Sequence, residues 1–186
     1  MDNQNQDDIK AAQNGDQDAY RRLLERYEAE ISRLMWRFCP DMQVCEELVQ
    51  EVFVETYCSL HSYKFKAPFI FWLKRIATRV GYRFWKQRDR QQRFVRLDDT
   101  PDVESPKDGT DKSELQRFTF ELLQRLPSSD RLVLTLLYFD NCSTEQIAER
   151  MGWSRAMVKM RAYRARGKLR TLIENEHLLE DIEWTP

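Results

Sequence analysis

The stretch STEQIAERMGWSRAMVKMRAYRARGKLR, residues 143–170, decides the fold of the second half of the chain. Ser143, followed three residues later by Gln146, forms a capping-box pattern, which predicts that a short helix begins there. Gly152 supplies a turn, and Ser154 can cap a longer helix. A short helix, a glycine-containing turn and a longer basic helix together predict a helix-turn-helix.

The long helix that follows Ser154 has two unlike faces. One is an apolar stripe that must pack on the preceding helices: Val158, Ala162, Ala165, Leu169 and Leu172. The other face and its flanks carry small, aromatic and basic side chains, which we predict to contact duplex DNA: Arg155, Ala156, Lys159, Met160, Arg161, Tyr163, Arg164 and Arg166. Such a face can enter a major groove while the flanking arginines reach phosphates.

The order of the charges favours nucleic acid, although the totals do not. The 186-residue chain has 30 Lys and Arg against 31 Asp and Glu, a formal net charge of −1. Residues 61–97 nevertheless hold eleven basic residues and one acid, and residues 151–170 hold seven basic residues and no acid. A merely solvated helix face is the plain alternative for each block, but such a face normally mixes Glu with Lys.

The chain is predicted to be all-α, because apolar residues recur at helical spacing and only 5 glycines and 6 prolines interrupt them. Residues 98–113 hold prolines, a glycine and acids with little that could be buried, which predicts an acidic flexible linker. We therefore expect two small helical domains, at 1–97 and 114–173, with the helix-turn-helix in the second. An acidic tail follows at 174–186.

Short polar residues before apolar runs predict where further helices begin. Asp16 can cap a helix that ends before Pro40. In the second domain, Ser128, Ser129 or Asp130 can cap the helix that precedes the helix-turn-helix.

Another helix of the first domain, predicted to begin near Pro68, combines cations with aromatic rings. Its core positions are predicted to be Phe69, Leu73, Ile76, Val80 and Phe84. Another group shares the helix with them and is predicted to contact a melted DNA strand: Trp72, Arg75, Arg79, Arg83, Trp85 and Lys86. Phosphates would meet the cations, and unstacked bases would stack on the rings. For Trp72, a place in the core is an equal alternative.

Two regions of the chain resemble the sigma-70 family of bacterial RNA polymerase sigma factors. EELVQEVFVETY at 46–57 and FIFWLKRIATRVGYRFWKQRDR at 69–90 resemble the second conserved region of that family. LPSSDRLVLTLLYFDNCSTEQIAERMGWSRAMVKMRAYRARGKLR at 126–170 resembles the fourth. Each motif alone is moderately specific, and the ordered pair is strongly specific. The reduced layout, without the regions that larger members add, resembles the extracytoplasmic-function (ECF) group.

The resemblance implies a sigma factor that binds core RNA polymerase and directs promoter recognition and DNA melting. The first domain would bind polymerase through Glu47, Leu48, Gln50 and Glu51, for which an ordinary solvated acidic face is the alternative. It would also bind the minus-ten element, and the second domain would read the minus-thirty-five element. The family further implies control by an anti-sigma factor. Two departures, the loop KFKAPF at 64–69 and Met160, bear on the promoter sequence that is read.

Binding rather than catalysis is predicted. The chain has no Gly-rich phosphate loop, no Ser/His/Asp set and only two histidines, and we expect no cofactor and no metal. It has no stretch of about 18 apolar residues such as a membrane helix needs, so no membrane insertion is expected. The polar, acidic N-terminus is unlike a signal peptide, which predicts a cytoplasmic location.

Two other function classes stay open at this point. A stand-alone helix-turn-helix regulator would bind a duplex operator without polymerase and would need dimer symmetry. It leaves the acidic run at 46–57 unexplained. A nuclease would need clustered carboxylates or a metal set near a basic groove. The acids of this chain lie instead in the tail, the linker and the helix faces of the first half.

Overall fold

The computed structural model describes residues 3–39, 41–95 and 114–175, and every regular element in those ranges is helical. The elements in chain order are α1 (Asn3–Gln13), α2 (Gln17–Met35), α3 (Met42–Ser59), a 3-10 turn (Leu60–Ser62), α4 (Phe69–Val95), α5 (Glu114–Gln124), α6 (Ser128–Tyr138), α7 (Thr144–Met151) and α8 (Arg155–Asn175). The all-α prediction is confirmed. The predicted linker at 98–113 and the tail from residue 176 lie outside the described residues.

The chain divides into two compact units, Met1–Trp85 and Lys86–Pro186. The first holds α1, α2, α3 and most of α4, and the second holds the end of α4 with α5 to α8. The domain boundaries expected from the sequence stay a prediction.

Helix α1 is an element that the sequence analysis did not predict. It packs on α2 through the buried side chains of Ile9 and Ala12. The carboxylate of Asp8 accepts hydrogen bonds from Arg22 at 2.9 Å and from Arg26 at 2.8 Å. Burial alone would raise the pKa of Asp8, but these two guanidinium groups hold it below its ordinary value. An ionic contact therefore anchors α1 beside its small apolar core.

The core of the first unit closes around the ring of Phe38. Its centroid lies 4.6 Å from that of Trp85, whose Nε1 donates to the carbonyl oxygen of Phe38 at 2.7 Å. A Cβ added to Gly81 would lie 2.4 Å from the Phe38 ring, so the absent side chain makes room for it. Trp85 is 2% exposed, whereas Phe84 is half-buried. The prediction that Trp85 contacts a DNA strand is therefore wrong, because a buried indole cannot stack on a base.

In the second unit, α8 packs on α6 and α7. The core cluster joins Leu126, Leu134 and Ala165, with Leu123, Leu169 and Leu172 packed against it. The buried part of the predicted α8 stripe is confirmed in Val158, Ala162 and Ala165.

The start of α6 differs from the prediction. Neither Ser128, Ser129 nor Asp130 caps it with a side chain. The carboxylate of Asp89 instead accepts from the backbone N–H of Ser128 at 3.1 Å. The buried carboxylate of Asp130 pairs with Nζ of Lys168 at 2.6 Å. A partner distant in sequence thus takes the place of a local cap.

None of the helices in the described ranges is both long enough and apolar enough to cross a membrane.

Candidate nucleic-acid interface

Local capping fixes where α7 begins and ends and where α8 begins. Ser143 Oγ accepts from the N–H of Gln146 at 3.2 Å, and Gln146 Oε1 accepts from the N–H of Ser143 at 2.8 Å. Gly152 ends α7 with a φ of 69°, a left-handed conformation that glycine adopts without strain. Ser154 Oγ then accepts from the N–H of Met157 at 3.1 Å and caps α8. The predicted helix-turn-helix thus has a local sequence signal at the start of α7, at the turn and at the start of α8.

The outer face of α8 is open to solvent. Tyr163 is 77% exposed and Met160 is 59% exposed, while Val158 on the opposite side is fully buried. The other predicted DNA contacts that are exposed share this outer surface: Arg155, Ala156, Lys159, Arg164 and Arg166. The structure therefore brings most of the predicted set together on one helix.

Three arginines of this set also contact their own chain. The guanidinium of Arg161 is half-buried and lies 4.7 Å above the ring of Trp153, which favours a role in holding the turn. Arg155 forms an ion pair with Glu145. Arg166 Nη1 donates to the hydroxyl of Tyr138 at 3.3 Å. The last two contacts are exposed, and water or phosphate can replace them at low cost.

The basic face of α4 is built from Arg75, Arg79, Arg83 and Lys86. Burial and the neighbouring charge of Arg75 lower the pKa of Arg79, against the opposing effect of Glu55. The buried Nε of Arg75 has no hydrogen-bond partner in the described part of the chain. Two guanidinium groups whose positive charges lie close together attract an anion such as a phosphate.

Trp72 lies at the start of α4 in an aromatic cluster. Its ring centroid is 5.4 Å from that of Tyr63 and 5.5 Å from that of Phe69. Its side chain is half-buried, so one part packs against these rings and another part faces solvent. Part of the ring thus packs as a core tryptophan would, and the contact between Trp72 and a base stays a prediction.

The acidic face of α3 consists of the exposed side chains of Glu47, Gln50 and Glu51. Leu48 is 4% exposed and belongs to the core, so the prediction that it contacts polymerase is wrong. Beyond Met42 at its first position, this helix has two exposed apolar residues that were not predicted, Val54 and Tyr57. Their positions, four and seven residues after Gln50, place them on the same face, and this spacing was the available signal.

The acidic face and the basic face meet at Arg83. Arg83 Nη2 contacts the carboxylates of both Glu51 and Glu55. Burial would lower the pKa of Arg83, but the hydrogen bonds that it donates to Glu51 and Glu55 raise it above its ordinary value. A residue predicted to contact DNA is thus bound by a residue predicted to contact polymerase.

Comparison with known proteins identifies this arrangement. Residues 23–91 match the family model for Sigma-70 region 2, and residues 120–169 match that for Sigma-70, region 4. The RNA polymerase sigma-H factor of Pseudomonas aeruginosa is 30% identical over 174 residues, which cover 88% of this chain and 90% of the relative. The chain belongs to the sigma-70 family.

Its similarity to ECF sigma factors places this sigma factor in the ECF group. The ECF RNA polymerase sigma-E factor of Haemophilus influenzae is 28% identical over 179 residues, covering 90% of this chain and 92% of the relative. A solved structure of CnrH in complex with the cytosolic domain of CnrY matches with a TM-score of 0.60 and 25% identity. That match covers 93% of this chain and 99% of the other.

The two family matches divide the sigma factor's elements between them. Region 2 covers most of α2, all of α3 and most of α4, and region 4 covers the end of α5, all of α6 and α7 and most of α8. The acidic face and the basic face of α4 both lie in region 2, and the outer face of α8 lies in region 4. Helix α1 lies before the first match.

Proposed function

We propose that this sigma factor binds core RNA polymerase, reads duplex promoter DNA with α8 and holds a melted strand on α4. The observation that carries the proposal is a pair of exposed basic surfaces, one in each sigma region, on a chain whose net charge is −1. Basic residues concentrated on single helix faces are the electrostatic footprint of nucleic-acid binding.

The outer face of α8 would lie in the major groove of the minus-thirty-five element. Tyr163, Met160 and Lys159 project from its centre and can meet base edges. Arg155, Arg164 and Arg166 lie around them and can reach phosphates, which position the helix without reading sequence. Since Arg161 is occupied with Trp153, it would stiffen the turn rather than contact a base.

The basic face of α4 would bind the melted strand of the minus-ten element. Arg75 and Arg79 would offer a phosphate site, because their positive charges lie close together and the buried Nε of Arg75 has no hydrogen-bond partner among the described residues. The exposed part of Trp72 would supply a stacking surface near the start of the helix.

The exposed acidic face of α3, with Glu47, Gln50 and Glu51, would bind polymerase. In this proposal the sigma factor supplies binding alone, and the polymerase supplies the chemistry of transcription. Two weak contacts at separate promoter elements would reinforce each other, because binding at one raises the effective concentration at the other.

A protein that covers these surfaces would keep the sigma factor inactive. The matching structure of CnrH was solved in complex with the cytosolic domain of CnrY. We propose an anti-sigma partner of this kind for the present chain, acting in the cytoplasm on the exposed faces of α3 and α8.

Run-off transcription tests the proposal. Core polymerase is mixed with this protein and with fragments of its own genome, and the transcript start sites are mapped. Discrete starts that need both components are expected, and aligning them yields the two promoter elements. Tight duplex binding by the protein alone, without discrete starts, would support a stand-alone helix-turn-helix regulator instead.

A further inference from the structure

Helix α1 holds the turn that connects α3 to α4. The side-chain amide of Gln13, the last residue of α1, donates from Nε2 to the carbonyl oxygen of Leu60 and to that of Tyr63, each at 2.9 Å. A primary amide carries two N–H donors, and both are used here. Leu60 begins the 3-10 turn and Tyr63 directly follows its last residue, so one side chain holds both ends of the turn.

Contacts within residues 63–67, the segment that follows the 3-10 turn, also stabilise its conformation. The hydroxyl of Tyr63 donates to the carbonyl oxygen of Ala67 at 2.6 Å, which closes the turn over four residues. Phe65 has a φ of 56°, a left-handed conformation that is unfavourable for a residue with a side chain. Its ring lies 4.8 Å from that of Tyr63, which packs in turn on Phe69 and Trp72. Such a strained residue persists only where the surrounding contacts determine its conformation.

The turn presents the same chemistry as the basic face of α4. Lys64 and Lys66 are exposed on either side of Phe65, whose ring is half-buried. The exposed part of Trp72 follows one helical turn into α4. Cations that alternate with rings suit a nucleotide that has left the base stack, since a base can lie on a ring while its phosphate meets an ammonium group.

We propose that Gln13 is a positioning residue for base selection in the melted strand. It lies outside both sigma-family matches and is not one of the basic or aromatic groups that would touch DNA. By fixing the carbonyls of Leu60 and Tyr63, it sets where Lys64, Phe65 and Lys66 stand. This inference rests on the proposed function, in which this end of α4 binds the melted strand.

A role in base selection can be separated from a role in stability. Helix α1 has other anchors, namely the buried Ile9 and Ala12 and the ion pairs from Asp8 to Arg22 and Arg26. Loss of the two Gln13 hydrogen bonds should therefore release the turn while α1 stays in place.

The test uses holoenzyme assembled from core polymerase and the full chain carrying Gln13→Glu. A glutamate has the same shape, but its ionised carboxylate only accepts hydrogen bonds and faces two carbonyl oxygens. Gln4→Glu, at an exposed position of the same helix, is the matched control for the added charge. Each base of the melted non-template strand is varied in turn, and open-complex formation is measured from the fluorescence of 2-aminopurine placed beside it.

Gln13→Glu is expected to keep polymerase affinity within about twofold of the unchanged protein. It should lower the preference for the favoured base at one melted position by about fivefold, since hydrogen bonds worth about 1 kcal/mol are lost. Gln4→Glu should leave the preference unchanged. An equal loss of open complexes with every base would show a general structural role and overturn the inference, as would an unchanged preference.

Tyr63→Phe gives a second test, which does not depend on the folding of the Gln13 variant. It removes the hydroxyl that closes the turn but keeps the ring in the aromatic cluster. The same base position should lose its preference. If the unchanged holoenzyme starts transcription and discriminates bases while both variants match it, only the role of Gln13 is refuted. If the unchanged protein supports no discrete starts, the proposed function itself fails.

Discussion

The guanidinium group of Arg83 on α4 lies against the carboxylate of Glu51 on α3. Glu55 contacts the same group from the next turn of α3, so two acids share one cation. All three side chains are partly exposed, and ion pairs in such positions contribute little to stability. A phosphate that approaches Arg83, or a polymerase surface that approaches Glu51, can therefore separate the pair at low cost.

Freeing Arg83 should strengthen binding of single-stranded DNA. Combining Glu51→Gln with Glu55→Gln removes both negative charges and leaves the basic face of α4 intact. The affinity of the full chain for a short single strand is expected to rise about twofold to fivefold, the range of one exposed ion pair. Fluorescence anisotropy with a labelled oligonucleotide measures it at fixed salt. Glu46→Gln with Glu47→Gln, both exposed on the same helix, removes two charges as well and controls for net charge, and an equal gain from it would refute a specific role for Arg83.

Gly81→Ala should destabilise the first unit. The added methyl group would meet the ring of Phe38 at 2.4 Å, and that ring is held against Trp85. Overpacking of this kind typically costs about 1–3 kcal/mol in the free energy of unfolding. Hydrogen exchange of the amides in α2 and α4 measures the loss in this unit alone.

Gly167→Ala is the contrasting substitution. Apart from the neighbouring residues and backbone of α8 itself, no atom of the described residues lies within 4 Å of a Cβ added at Gly167, which stands within α8. Because alanine favours a helix by about 1 kcal/mol over glycine, the second unit should become more stable. A neutral Gly81→Ala variant would mean that Phe38 can move aside, and the account of its packing would fail.

The ion pairs of Asp8 should make the first unit sensitive to acid. Because its pKa in the folded chain lies below 3.8, its ordinary value, folding favours the ionised form. The stability it contributes is present above that ordinary value and is lost as the pH falls through the lowered pKa. Asp8→Asn is expected to cost about 1–3 kcal/mol at neutral pH, from weakened hydrogen bonds to two arginines.

Asp8→Asn should also make the free energy of unfolding depend less steeply on pH in the acidic range. Unfolding by urea at a series of pH values, with hydrogen exchange of α1 and α2 as the readout, shows both effects. Asp7→Asn, at an exposed neighbouring position, is the control. Parallel curves for Asp8→Asn and the unchanged protein would mean that Asp8 does not carry this dependence.

Tyr163→Ala should weaken promoter binding without affecting folding. The ring is 77% exposed, so its loss leaves no cavity. If it contacts bases, holoenzyme affinity for a promoter fragment is expected to fall about tenfold, the equivalent of about 1.4 kcal/mol. Gel-shift titration against the promoter and against unrelated DNA separates the specific part. Gln124→Ala, exposed on α5, should change neither affinity, and equal losses on both DNAs would indicate that Tyr163 reads no sequence.

The helix ends were predictable where the signal was local. The reciprocal Ser143–Gln146 cap, the left-handed Gly152 and the Asp16 cap, which accepts from the N–H of Ala19 at 3.0 Å, each depend on residues within a few positions. The start of α6 depends on Asp89, which lies 39 residues before Ser128. No local pattern reveals such a partner.

The errors in the candidate site have a similar origin. Trp85 stands among cations in the sequence. It nevertheless lies on the same buried face of α4 as Leu73, Ala77 and Gly81, which precede it at intervals of four residues. When a wide face of a helix is buried, its own sequence does not show which residues lie at the edge of that face. Trp85 is buried because it packs on the ring of Phe38, which lies on another part of the chain. Helix α1 was missed because it buries little apolar surface and is held by Asp8 and Gln13, whose partners are distant in sequence.

The contacts of Gln13 also bear on the order in which the chain folds during synthesis. They join residues that are 47 and 50 positions apart, whereas α1 and α2 are neighbours and can pair early. Local contacts form sooner than distant ones, because distant ones require a longer loop to close. We therefore expect α1 and α2 to associate first on the ribosome. Gln13 can form its hydrogen bonds to the 3-10 turn only after Tyr63 has emerged.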